Sequence, residues 1–294
     1  MELTTDNVRN FLLTSYPEMK IIHMNFYQKF PSNELLFITE YEKIFKMLLE
    51  EFFPGYTIND NFFVKNEGIL PIALAYTDDK FFSKRNIKNV TCLSFESLYP
   101  HIMLKITDLN NVSDFDHLDE DPWSEEIWND IKSFQWNSKE VFEMYKFLVI
   151  NKKELFLDDN DDFNSLIRSL INAMYGVIRS NKSWIKVKNY GLVLEETADI
   201  LKTIRDKFAY EVGSIFDDEY EDNKKTYLIF ANVDQMFFTN FDEIKDDVEN
   251  ILEDFGYPYK LEIYSDLFYV DINNYILVNE NKIKKHGFYE LKSN

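Results

Sequence analysis

The stretch VTCLSFESLYPHIML, residues 90–104, decides how this chain is read. An apolar run reaches Ser94, a turn is expected over Ser-Leu-Tyr-Pro, and a second apolar run follows. A strand that stops at a polar position just before a tight turn presents a side chain at the end of its sheet. The side chain presented here is Ser94, a serine with no base beside it in sequence. Read alone, it is a nucleophile lacking its partner.

The chain around this stretch has 294 residues, enough for one large domain or two modest ones. Hydrophobic residues make up 45%, with 27 Phe and 18 Tyr, which excludes a disordered chain and predicts an aromatic core. The single cysteine, Cys92, lies in an apolar run and is expected to be a small buried hydrophobe. One thiol makes no internal disulfide, the opening MELTTDNVRN lacks the pattern of a signal peptide, and no apolar run is long enough to span a membrane. The expectation is a soluble intracellular protein without membrane contact. The formal net charge of −20 opposes long-range attraction to nucleic acid unless the basic residues cluster.

Working outward, TEYEKIFKMLLEEFFPG reads as a helix, with Thr39 and Glu42 at capping-box spacing and Pro54-Gly55 as its stop. The region to about residue 70 reads as mixed α/β, without an assigned role. Residues 89–95 read as a strand, and the acidic stretch DFDHLDEDPW after it as a solvated loop. Helices are expected near 124–134, 138–150, 162–178, 195–215 and 241–255, the last closed by Gly256. TYLIFANVDQMFFTN reads as strand, tight turn, strand, and the tail carries three short strand signals, KLEIY, DLFYV and NYILV. No regular βαβ alternation appears, so the expected class is α+β with a largely antiparallel sheet.

Three local features stand out. The first is the strand end at Ser94. The second is RSLINAMYGVIRS, where Arg168, Asn172 and Tyr175 share one helical face and Gly176 admits a close approach of backbone. Such a polar stripe is costly to bury without partners. The third is the hairpin tip Asn232-Val233-Asp234, where an Asx residue serves turn geometry as readily as catalysis.

In this order the three resemble the sequence motifs of the palm and fingers of family B DNA polymerases. The tail, DLFYVDINNYILVNENKIKKHGFYELK, resembles that family's Lys-x-Tyr element and the basic segment after it. The resemblance covers roughly residues 70–292. It implies a polymerase-like palm over 71–294 with reduced fingers at about 105–178, and neither thumb nor exonuclease domain is expected.

The departures from the family pattern carry equal weight. Where the family has aspartates, this chain has Ser94 and Asn232, which leaves Asp234 as the one matched metal-ligand candidate. Arg168 stands for the family's lysine, and Asn273 for the lysine of Lys-x-Tyr, whose Tyr275 is retained. Two-metal phosphoryl chemistry needs carboxylates that bridge both Mg²⁺ ions, and two formal charges of that clamp are missing. Glu96 lies two residues past Ser94, where the turn is expected to begin, and is a poor substitute ligand. The resemblance therefore implies a catalytically inactive relative with no cofactor, and Mg²⁺ only if the chain is active. Tyr99, Arg168, Asn172, Tyr175 and Gly176 would be the remnant of a nucleotide pocket, unless Tyr99 and Tyr175 simply pack together.

Two basic clusters are candidates for nucleic-acid contact: Arg179, Lys182, Lys186 and Lys188 with Trp184, and Lys284 and Lys285 with neighbouring Lys282 and His286, near Tyr275. Ordinary surface lysines explain them equally well. The readings that follow are an inactive structural or accessory subunit bound to protein in a DNA replication complex, an active split polymerase, and a nucleic-acid-binding module. The abundance of Asn, Ile, Lys, Phe and Tyr suggests an AT-rich genome such as that of a virus, phage or linear plasmid.

Overall fold

A computed structural model describes residues 1–29, 34–58, 76–77, 86–107, 134–180, 182–208, 227–232, 234–271, 274–280 and 282–287, with the backbone alone at 21–29, 34–40 and 76–77. The acidic stretch 114–123, most of the helix expected near 124–134, Val233, Asn273 and the end of the tail lie outside the described residues. The chain divides into two units, Met1–Gly68 with Tyr99–Val193, and Ile69–Leu98 with Leu194–Asn294.

The first unit is helical where it is described, apart from one small strand pair. Helices α1 (Thr5–Lys29) and α2 (Glu34–Phe52) precede strand β1 (Tyr76–Thr77) and strand β2 (Ile87–Phe95), both of which belong to the second unit. Then come α3 (Leu98–Ile106), strand β3 (Gln135–Trp136), α4 (Lys139–Ile150), α5 (Lys152–Leu155), α6 (Asp161–Arg179) and strand β4 (Val187–Lys188). Helix α6 is the centre of this unit, packed by α1, α2, α4 and α5. It has strong local signals: the Asn160 side chain accepts from the Phe163 N–H at 3.1 Å, Asp161 and Asp162 suit the first turn, and Arg179 the last. Its apolar positions Phe163, Leu166, Ile167, Leu170, Ile171 and Met174 are all buried. Trp136 fills the neighbouring core between Phe134, Phe142 and Tyr145, and its indole N–H donates to Thr107 Oγ1 at 3.1 Å. Phe134, expected to end a helix, instead bridges Thr107.

The described part of residues 1–58 holds two helices, and residues 59–70 of the region read as mixed α/β lie outside the described residues. One expectation changes in this unit. Thr39 and Glu42 do not cap a helix, because α2 already starts at Glu34 and both residues are inside it. Glu42 is 5% exposed, and its carboxylate accepts a hydrogen bond from the Ser183 hydroxyl. Desolvation raises the Glu42 pKa, opposed by Ser183, the Trp184 and Ile185 amides and Lys186.

The second unit is built on a seven-stranded sheet. It adds α7 (Leu192–Phe208), β5 (Leu228–Asn232), β6 (Gln235–Thr239), α8 (Lys245–Phe255), β7 (Tyr259–Asp271), β8 (Asn274–Asn279) and β9 (Lys282–His286). The strand order is β1-β5-β6-β2-β7-β8-β9, and every pairing is antiparallel. The α+β expectation with an antiparallel sheet therefore holds. Gly256 ends α8 in the left-handed region (φ 71°), where its N–H reaches the Leu252 carbonyl at 2.9 Å. The core face of the sheet gathers Val90, Cys92, Phe230, Phe237, Tyr264, Leu267, Tyr269, Tyr275 and Leu277. Phe230 stacks on Phe237 at 4.2 Å between centroids and on Tyr269 at 4.8 Å.

The tail differs from its sequence reading. KLEIY and DLFYV are one continuous strand, β7, and the basic KIKKH, read as a segment after the strands, is itself strand β9. No described helix is long and apolar enough to cross a membrane.

Candidate functional site

In the sheet unit, β5, β6 and β2 are adjacent, and their register carries Ser94, Asn232 and Asp234 to one end of the sheet. Ser94 is paired across with Gln235 of β6 on one side and Lys260 of β7 on the other. The Phe95 N–H donates to the Asp234 carbonyl at 2.9 Å. The strand ends at Phe95, Glu96 and Ser97 make the bend, and Ser97 takes a positive φ of 54°. The turn is thus shorter than Ser-Leu-Tyr-Pro, since Leu98-Tyr99-Pro100 opens helix α3. Pro100 fits there because a first-turn residue has no intrahelical acceptor for an N–H. Glu96 is held aside, its carboxylate 2.5 Å from Lys260 Nζ.

The polar groups at this end are largely occupied. Asn232 Oδ1 accepts from the Gln235 N–H at 3.1 Å, closing the hairpin turn. Gln235 Oε1 accepts from the Tyr275 hydroxyl at 2.9 Å. Ser94 Oγ lies 3.5 Å from Cys92 Sγ, and burial pushes the Cys92 thiol up to about 11, so no thiolate activates the serine. Asp234 is solvent-exposed, but the protein crowded around it raises its carboxyl pKa, with Lys284 and His286 pulling the other way. Lys284 Nζ also stands 4.0 Å from Glu262, whose carboxylate accepts the Tyr264 hydroxyl at 3.1 Å.

Whether Mg²⁺ fits is decided by these donors. Asp234 is one carboxylate in the field of two basic side chains, Ser94 is neutral, and the Asn232 oxygen already holds the turn. Among the described residues, no group of three or more His, Cys, Asp and Glu side chains converges to hold a metal. A pair of hard divalent ions needs several anionic oxygens, and this set does not fit one.

In the helical unit, the stripe on α6 is not buried as a whole. Arg168 and Asn172 are exposed, Gly176 is half-buried, and Tyr175 alone is buried. Arg168 lies over the Phe156 ring, 4.7 Å from its centre. Tyr99 and Tyr175 pack edge to face, with centroids 4.7 Å apart, and the Arg179 guanidinium sits 5.4 Å from the Tyr175 ring centre. The Tyr175 hydroxyl is buried without a hydrogen-bond partner among the described residues, and burial raises its pKa far above the ordinary tyrosine value. Leaving a buried hydroxyl unpaired costs about 1–3 kcal/mol. Tyr175→Phe is therefore expected to stabilise the protein by about 1 kcal/mol in a denaturant melt. Tyr145→Phe, which removes a hydroxyl donating to the Ile171 carbonyl at 3.3 Å, is expected to cost about as much.

The basic candidates separate by unit. Lys182 and Arg179 are exposed, Lys186 donates to the Ser180 carbonyl at 2.8 Å and has its pKa lowered by desolvation, and Lys188 is on β4. Trp184 is half-buried, 6.4 Å from the Tyr56 ring. Lys284 and Lys285 are on β9, while Tyr275 is 1% exposed beneath a stacked His286 ring at 4.8 Å. Sequence reasoning missed Glu262 and Gln235. The alternation in KLEIY was the available signal for Glu262, whereas the role of Gln235 depends on Tyr275, 40 residues away.

No family model matches the chain, and no curated protein matches it in sequence. Among solved structures it is similar to the family B DNA polymerase from the hyperthermophilic archaeon Pyrobaculum calidifontis, with a TM-score of 0.45 and 16% identity over 87% of this chain and 32% of that one. It is also similar to phi29 DNA polymerase complexed with primer-template DNA, with a TM-score of 0.43 and 11% identity over 85% of this chain and 59% of that one. The chain thus spans less than two thirds of the length of either.

Proposed function

We propose that this chain is a polymerase-palm-like protein that no longer transfers nucleotides and serves a DNA replication complex as a structural or accessory subunit, through contacts with protein. The observation that carries this reading is the fate of Asn232. It stands where a metal-bridging aspartate is expected, and its side-chain oxygen closes the hairpin turn on the Gln235 N–H. With Ser94 at the other aspartate position, Asp234 remains, and Lys284 and His286 supply positive charge in its surroundings. Each 1.36 kcal/mol of lost transition-state stabilisation lowers a rate tenfold, so losing two bridging carboxylates removes many decades of rate. The net charge of −20 suits a protein partner with a basic face.

The test is incorporation of dNTPs on a primer-template in Mg²⁺ by the purified chain. The expected result is no extension above that of Asp234→Ala. Template-dependent extension that Asp234→Ala abolishes would overturn the reading in favour of an active split polymerase.

A further inference from the structure

One face of the sheet unit has the features of a docking surface. β9 is the last strand in the described sheet and pairs with β8 on its inner side. Its sequence, KIKKH, has three lysines and a histidine and no acid, in a chain of net charge −20. On the face turned away from the core, the register aligns Phe268, Ile276 and Lys285 in one row and Val278 and Ile283 in the next. Apolar side chains are unusually open here: Ile263 is 69% exposed, Val270 52%, Ile283 63% and Phe268 40%. Few other large hydrophobic residues among those described are so exposed. Scattered exposed apolar residues need no explanation, whereas a contiguous group rimmed by charge marks an interaction surface.

The edge selects its occupant. Side chains alternate across β9, so Lys282, Lys284 and His286 share the face of the aromatic core, and Ile283 and Lys285 share the open face. A strand laid beside it would place every second residue against the basic row and the others beside Ile283 and Lys285, next to Ile276 and Val278 of β8. Two copies of β9 would bring lysine against lysine, which disfavours pairing of this edge with itself. We propose that the β9 edge and the open face of β7–β9 bind an extended segment of a partner protein, acidic at alternate positions and aliphatic between them, by strand addition. Backbone hydrogen bonds would supply affinity, and the charge alternation specificity. This inference does not depend on whether the chain transfers nucleotides.

The probe is a labelled, end-blocked peptide of alternating glutamate and valine, followed by fluorescence anisotropy against the whole chain. Saturable binding is expected, weakened about tenfold or more by Lys282→Glu or Ile283→Glu, and by N-methylation of alternate peptide amides. Both protein substitutions are at exposed positions, and Ile283→Thr, which keeps a strand-forming side chain, provides a milder second variant. Absence of binding, or binding indifferent to these changes, would overturn the proposal. So would a single-stranded oligonucleotide that binds through Lys282 and Ile283 while the peptide does not, or self-association of the chain lost in Ile283→Glu.

Discussion

Replacing Glu42 with alanine is expected to destabilise the protein by about 1–3 kcal/mol, the range for depriving buried donors of their acceptor. Glu42 is in the middle of α2, 5% exposed, and accepts a hydrogen bond from the Ser183 hydroxyl, 141 residues away in sequence. Ser183 in turn accepts from the Ile185 N–H at 3.0 Å. Alanine removes the carboxylate acceptor and leaves the Ser183 hydroxyl only the Ile185 carbonyl at 2.9 Å, and the segment that carries Lys182, Trp184 and Lys186 loses its anchor to α2. Glu42→Gln keeps an oxygen for Ser183 and is expected to fold. It also isolates a pH effect. Burial raises the Glu42 pKa in the folded state above its value in the unfolded chain, about 4.3. A raised native pKa means that the native state holds the proton to higher pH. The corresponding stability is complete below the unfolded pKa and is lost as pH rises through the native one. Stability of the native chain relative to Glu42→Gln should therefore fall as pH is raised from about 4 through that native pKa. Urea melts across this range measure it, and a flat difference would show that Glu42 does not titrate abnormally.

The second large effect is expected from putting carboxylates back. A chain carrying Ser94→Asp together with Asn232→Asp places three acidic side chains at the end of β2, β5 and β6. Two unit charges about 8 Å apart repel by about 2 kcal/mol at an effective dielectric of 20. With Lys284 and His286 offsetting part of this, a loss of about 2–4 kcal/mol is expected in the absence of divalent metal. Mg²⁺ should then restore stability, by about 2.7 kcal/mol at a hundred times its dissociation constant. The native chain should show no such dependence. Thermal melts with and without Mg²⁺ separate the two. A double variant as indifferent to Mg²⁺ as the native chain would mean that residues 94, 232 and 234 do not converge.

These predictions concern parts of the molecule that were unequally legible in sequence. The hairpin at Asn232 and Gln235 was readable because two strongly apolar runs flank an Asx turn, and α8 because its periodicity ends in Gly256. The Tyr99–Tyr175 packing was anticipated as one of two possibilities. The misreadings have a common cause, which is that the deciding partner is remote. Ser265 looks like a break between two strands. In the fold Ser265 Oγ donates to the Val278 carbonyl at 3.0 Å and Asp266 pairs with Lys88, so the strand runs on. Thr39 and Glu42 have the local spacing of a cap, but Ser183 determines what Glu42 does. Lys282–His286 reads in sequence as a basic segment and is a strand because β8 offers it an edge. On α6 the shared face of Arg168, Asn172 and Tyr175 was correct, but which of them would be buried depended on Phe156 and Tyr99.

The division of the chain has a consequence for its synthesis. The helical unit is interrupted in sequence: α1 and α2 leave the ribosome early, but α6, on which both pack, is complete only at Arg179. At 5–20 residues per second the wait is about 6–25 seconds. Throughout that interval Leu12, Ile44, Phe45 and Leu48, which are all buried in the finished protein, have no α6 to cover them. The nascent chain is then a natural client for chaperones, and its yield should depend on them more than its final stability would suggest.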